Sequence, residues 1–176
     1  MSSNIHEFAS QACRLRFEVP TAYRCERITG SLLALRCQYP SMGPTTGDDP
    51  DRDNSVLIFI AISDGPSRAD QLVTTAALEP DNDRSCQHYF AGQQGPFSIY
   101  RRSDMADAVF HVFRARDGTR VCVEDAGNWS SIYAVYRKLG APLNLHYEMP
   151  KSVGCGFMQF DEAVATFVRG LHSVAA

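Results

Sequence analysis

A chain of 176 residues, 44% hydrophobic and 21% charged, is long enough for one globular domain with a real core, spanning residues 1–176, and short for two. Its net charge of −3 and pI near 5.9 argue against a nucleic-acid binder, which usually shows a basic face. The longest apolar run, Val56–Ile62, falls far short of the roughly 20 residues that cross a bilayer as a helix.

At the N-terminus, Asn4 followed three residues later by Glu7 has the form of a helix cap, and Ile5, Phe8, Ala9 and Ala12 share one face. A short helix is expected there. Met1–Phe8 lacks the basic and apolar regions of a signal peptide, and no apolar segment precedes Cys13 as a lipoprotein signal requires. The expected compartment is the periplasm if a signal peptide has been removed, and otherwise the cytoplasm. Arg14–Val19 reads as a strand interrupted by Pro20. Tyr23–Ile28 and Leu32–Tyr39 flank Thr29-Gly30 as a hairpin, with Leu33, Leu35, Cys37 and Tyr39 alternating against Ala34, Arg36 and Gln38.

From Pro40 to Asn54 the pattern stops. This long loop carries Asp48, Asp49, Asp51 and Asp53, with Arg52 the only basic residue among them. Loops of that length without structure are functional or disordered. The spacing echoes the start of an EF-hand, but Asn54 replaces the required glycine and Ile60 the bidentate glutamate. The four aspartates are therefore read as a solvated loop or as a docking element for a cationic protein partner. Val56–Ile62 follows as a central strand, expected to be buried on both faces. Ser67-Arg68-Ala69-Asp70 starts a short helix with Leu72, Val73, Ala76 and Ala77 on its apolar side, stopped by Pro80. Gln87–Ala91 and Phe97–Arg101 are strands joined through the segment Gly92–Pro96.

Val109–Ala115 and Arg120–Asp125 flank Asp117-Gly118, a strong hairpin signal. A two-residue loop there sets Phe113 opposite Cys122 and His111 opposite Glu124. Two more strands, Ser131–Arg137 and Leu143–Met149, complete a meander. Trp129, in the turn before the first of them, is read as capping the core, with an interface anchor as the alternative. Phe157, Phe160, Val164, Phe167, Val168 and Leu171 recur at helical spacing, predicting a C-terminal amphipathic helix. Phe160, Val164 and Phe167 are expected to be buried, and Glu162 and Arg169 to face water. The fold class is α+β: one antiparallel sheet of six to eight strands, covered by that helix and one or two short ones.

Chemistry is sparse. The six cysteines form no Cys-x-x-Cys pair, and both readings stand: disulfides of an oxidising compartment, or buried thiols. Cys25 and Cys37 could be bridged only across an odd-length turn. Isolated histidines and the lack of a nucleophile elbow, phosphate loop or dinucleotide fingerprint leave no catalytic residue, metal site or cofactor to assign. The enzyme alternative is Cys155, between Gly154 and Gly156 ahead of the helix, with His146 or His88 as its base.

Three segments carry a family resemblance: Val19-Pro20-Thr21-Ala22-Tyr23, Tyr39-Pro40-Ser41-Met42-Gly43-Pro44, and Tyr147-Glu148-Met149-Pro150-Lys151 leading to Phe160-Asp161-Glu162-Ala163-Val164. The chain resembles small proteobacterial cell-envelope proteins, some of which are similar to immunity proteins that bind secretion-system toxins. That resemblance implies a non-enzymatic binding protein, with type VI secretion the expected setting and a toxin as its protein partner. Asp48, Asp49, Asp51, Asp53 and Trp129 are the candidate contact residues. An assembly subunit of the envelope is the remaining alternative.

Overall fold

Alternation decides most of the architecture. In β4 (Leu32–Gln38), Leu33, Leu35 and Cys37 are fully buried. In β6 (Ser55–Ile62) the buried set is Val56, Ile58 and Ile60, and in β12 (Leu143–Pro150) it includes Leu143, Leu145, Tyr147 and Met149. These inward rows pack as one surface, because residues two apart on a strand face the same side. The computed structural model describes residues 2–9, 14–45, 54–76, 88–153 and 156–175.

The described residues form thirteen strands in two antiparallel sheets, with two α-helices. The large sheet runs from β3 (Arg24–Thr29) through β4, β6 and β12 to β11 (Ile132–Lys138) and β10 (Arg120–Asp125). It continues through β9 (Met105–Arg114) and β8 (Phe97–Arg102) to β7 (His88–Gln94), while the two-residue β5 (Gly43–Pro44) pairs with β4. From β7 to β12 it is an unbroken meander, and β6 joins that meander to the N-terminal hairpin. The small sheet contains β1 (Ser3–Ala9), β2 (Arg14–Pro20) and β13 (His172–Ala175). The α+β class holds, with more strands than the six to eight expected.

Helix α2 (Phe157–Leu171) and the small sheet cover one face of the large sheet. Phe160, Val164, Val168 and Leu171 pack with Phe8, Phe17 and Val19 against the inward rows. Helix α1 (Arg68–Ala76) covers part of the other face, seating Ala69 and Leu72 on Phe110, Val112 and Cys122. Its start is capped as expected: Ser67 Oγ accepts the Asp70 N–H at 3.1 Å.

Several expectations fail for identifiable reasons. The N-terminal segment is a strand, not a helix: it pairs with β2 from Ser3↔Pro20 to Ala9↔Arg14, so the backbone groups on its inner edge bond to a neighbour far along the chain in place of a helical turn. The β9–β10 register is displaced by one: Phe113 faces Val121, Val112 faces Cys122, and His111 faces Val123. The loop holds three residues, with the Gly118 N–H donating to the Ala115 carbonyl and only Gly118 taking positive φ, at 79°. That is a type I turn closed by a left-handed glycine, so Asp117 needs no positive φ. Phe167 is half-buried against Tyr23, with ring centroids 5.4 Å apart, and Glu162 is half-buried too. β6 is central, but Leu57 and Phe59 on its second face are only half-buried. Trp129 does not cap the core; it is 85% exposed.

One polar network ties α2 down. Arg137 and Asp161, each 1% exposed, pair at 2.5 Å, and the Tyr147 hydroxyl donates to the other Asp161 oxygen at 2.6 Å. Arg137 and Arg169 both donate to Asp117 in the β9–β10 turn. Burial pushes the Asp161 carboxyl up, against the pull of Arg137 and Tyr147. At Asp117 burial is overcome by the Thr119 N–H and the two arginines, which hold that carboxyl below its ordinary value.

Candidate partner-binding site

Asp48, Asp49, Asp51 and Asp53 lie outside the described residues, but both ends of their loop are held. Gln38 pairs with Ser55, and the Tyr39 N–H donates to the Asn54 carbonyl at 2.9 Å. Met42 is buried at φ 53°, and its carbonyl accepts the Tyr23 hydroxyl at 2.9 Å. Trp129 ends the 3₁₀ turn Gly127–Trp129, which is equally fixed. Lys151 Nζ donates to Asp125 Oδ1 and to the Gly127 carbonyl, each at 2.6 Å, and Gly127 lies so close to Asp107 that a Cβ there would sit 3.1 Å from it. Strand pairing brings these features together. Ser55 precedes the Leu57↔Glu148 pair, and Ile132, just after Trp129, faces Pro150. The starts of β6 and β11, and with them the loop's exit and the turn carrying Trp129, therefore lie at the same end of the large sheet, the two strand starts two spacings of about 4.8 Å apart. A cavity of about 700 Å³ follows α2, lined by Met42, Phe113, Met158 and Phe167 with Glu162 and with Arg116, which lies in the β9–β10 turn at the opposite end of β10 from Trp129.

The enzyme alternative gains nothing from this arrangement. Cys155 lies outside the described residues. His146 faces away from α2, since its neighbour Tyr147 is the residue that stacks on Phe160. His88 sits edge-on to Phe110 beneath α1. Burial lowers the pKa of both histidines. Cys25, Cys37 and Cys122 are free thiols, pushed by burial to about 11, 12 and 12, far from the thiolate a nucleophile needs. Cys25 faces Leu35, across the odd register a bridge to Cys37 required, yet no disulfide forms among the described cysteines. Cys13 and Cys86 also lie outside the described residues. Among those residues no group of three or more acidic, histidine or cysteine side chains is placed to hold a metal ion, and no helix is long and apolar enough to cross a membrane.

A second surface was missed in the sequence. On the outer face of the large sheet, Phe59, His146 and Tyr136 stand directly opposite one another on β6, β12 and β11. Their rings stack, with His146 lying 5.3 Å from Phe59 and 4.5 Å from Tyr136. The Arg68 guanidinium, at the start of α1, extends the column 4.5 Å over Tyr136 and pairs with Glu124 at 2.9 Å. The result is a trough of about 520 Å³ between α1 and the strands, with Asn144 and Glu148 on its walls. Alternation along β12 was the available signal, since it sets Asn144, His146 and Glu148 on one side. Which strands flank them was not readable.

No family model matches the chain, and no curated protein does. Comparison with solved structures is decisive for the fold. It is similar to that of an immunity protein. That protein belongs to the type IV secretion system of Stenotrophomonas maltophilia; the TM-score is 0.60, covering 97% of this chain and 94% of the other. Identity is 13%, so the immunity protein shares the architecture and not a readable set of contact residues. Its secretion system is type IV, and the type VI expectation finds no support.

Proposed function

We propose that this protein is a non-enzymatic immunity protein that neutralises a secreted antibacterial toxin by binding it directly. The full-length likeness to a secretion-system immunity protein carries the reading, supported by thiols and histidines that burial keeps in their neutral forms. The proposed contact surface is the sheet end where Trp129 stands exposed on a rigid turn, together with Asp48, Asp49, Asp51 and Asp53. An exposed tryptophan on a fixed scaffold suits a binding hot spot, and clustered acid speeds encounter with a cationic partner. The periplasm is the proposed compartment.

The product of the neighbouring gene is the partner to try first, because immunity genes commonly sit beside their toxin. Co-expression should relieve the growth arrest that product causes, and the two purified proteins should form a complex. Trp129→Ala should weaken that complex by about 2 kcal/mol. Changing all four aspartates to asparagine should slow association at low salt and matter less at high salt. A toxic neighbour that neither binds nor is neutralised would remove the proposal.

A further inference from the structure

Helix α1 covers the outer face of the large sheet over β9 and β10, whereas β4, β6 and β12 carry no described element on that face. The uncovered part is apolar at its centre: Leu32 on β4, Leu57 and Phe59 on β6 and Ala134 on β11 all face outward and are only half-buried. Charge around them divides by strand. Register sets Arg36, Leu57 and Glu148 side by side on β4, β6 and β12. The same row runs on to Arg24 on β3 at one side, and through Ala134 to Glu124 on β10 at the other. Base therefore lies on one side of β6 and acid on the other. Arg36 is exposed, and Glu148 has no cationic partner among the described residues.

We infer that this face binds a second copy of the chain, face to face, about a twofold axis running nearly along β6. Such an axis exchanges the two sides of β6 and keeps each row in place. Arg36 then meets the partner subunit's Glu148, Glu148 meets the partner subunit's Arg36, and Leu57 and Phe59 each meet their own copies on the axis. One strand further out, Glu26 on β3 shares a row with Ala34, Phe59, His146 and Tyr136. The rotation brings it against Arg68, which stands exposed over Tyr136 at the start of α1. One operation thus matches acid with base across the face, and sheets packed this way keep their strands aligned to within about 30°. A foreign partner would need the same charges in mirrored order, whereas a copy carries them already. Three rows on five strands span about 20 Å by 24 Å, or roughly 500 Å² on each copy, the lower end for a specific interface. The dimer therefore dissociates on dilution. Its existence does not depend on the immunity reading.

Sedimentation equilibrium of the full chain over a wide concentration series tests this. The average mass should rise from 19.5 kDa toward twice that value. Glu148→Arg opposes two arginines across the interface and should weaken association at least about tenfold, as should Arg36→Glu. The double variant Arg36→Glu/Glu148→Arg exchanges the signs and keeps the match, so it should associate within about threefold of the parent. Leu57→Lys sets a lysine against its own copy on the axis and gives a second single-site check, with circular dichroism showing that each variant is folded. A chain that stays monomeric at every concentration would overturn the inference and leave the face to a foreign partner. Association untouched by the single reversals, or not restored in the double variant, would place the contact elsewhere and overturn it as well.

Discussion

Replacing Asp161 by alanine probes the contact that locks α2 to the sheet. The carboxylate is 1% exposed and receives the Arg137 guanidinium at 2.5 Å and the Tyr147 hydroxyl at 2.6 Å. Its removal leaves Arg137, itself 1% exposed, with Asp117 and the Lys138 carbonyl, and leaves the Tyr147 hydroxyl with no acceptor. Breaking a buried ion pair from one side costs about 3–5 kcal/mol, and an orphaned buried hydroxyl about 1–3 kcal/mol. The two losses share one cavity and do not add, and Asp117 still offsets part of the first. About 3–5 kcal/mol is therefore expected for Asp161→Ala. Asp161→Asn keeps an acceptor and most of the volume, so about 1–3 kcal/mol is expected. Urea denaturation measures both, with an unchanged slope against denaturant showing that only stability moved. In a chain of this size each kcal/mol lowers the melting temperature by about 2–4 °C. A loss below about 1 kcal/mol for Asp161→Ala would refute the view that the pair is an anchor.

Further outcomes follow from the same geometry. Gly118, at φ 79° with nothing within 4 Å of a built Cβ, pays only for backbone conformation; Gly118→Ala should cost about 1–2 kcal/mol and Gly118→Val more, measured by urea denaturation. Phe160→Ala should cost about 3–5 kcal/mol, since Phe160 is fully buried between Tyr39 and Tyr147, while half-buried Phe167→Ala should cost roughly half as much. Equal losses at the two positions would show that α2 sits differently. Burial lowers the pKa of His88, His111 and His146 below the ordinary 6.5. The unfolded chain therefore binds more protons, so stability is fully present above about pH 6.5 and falls as pH drops through the lowered values. Urea midpoints measured from pH 8 to pH 5 should decline, and His111→Phe should flatten part of that decline.

Local pattern alone determined a good deal of this protein. The alternation in β4 and β12, the helical spacing of α2 and the Ser67–Asp70 cap were all legible, because each depends on residues a few positions apart. The hairpin at Asp117-Gly118 was legible as a turn but not in register, since a two-residue and a three-residue loop use the same glycine and differ only in which backbone groups pair. Neither β1 nor β13 announced itself as a strand. Both exist because β2 lies between them, a pairing across nearly the whole chain. Arg137 falls on the inward parity of β11 beside Val135, where its charge would argue for water; only Asp161, 24 residues later on α2, makes that position tenable. The aromatic column has the same origin. Phe59, Tyr136 and His146 are ordinary strand residues until β12 is inserted between β6 and β11, and that order is set by which apolar rows bury best against α2 and the small sheet.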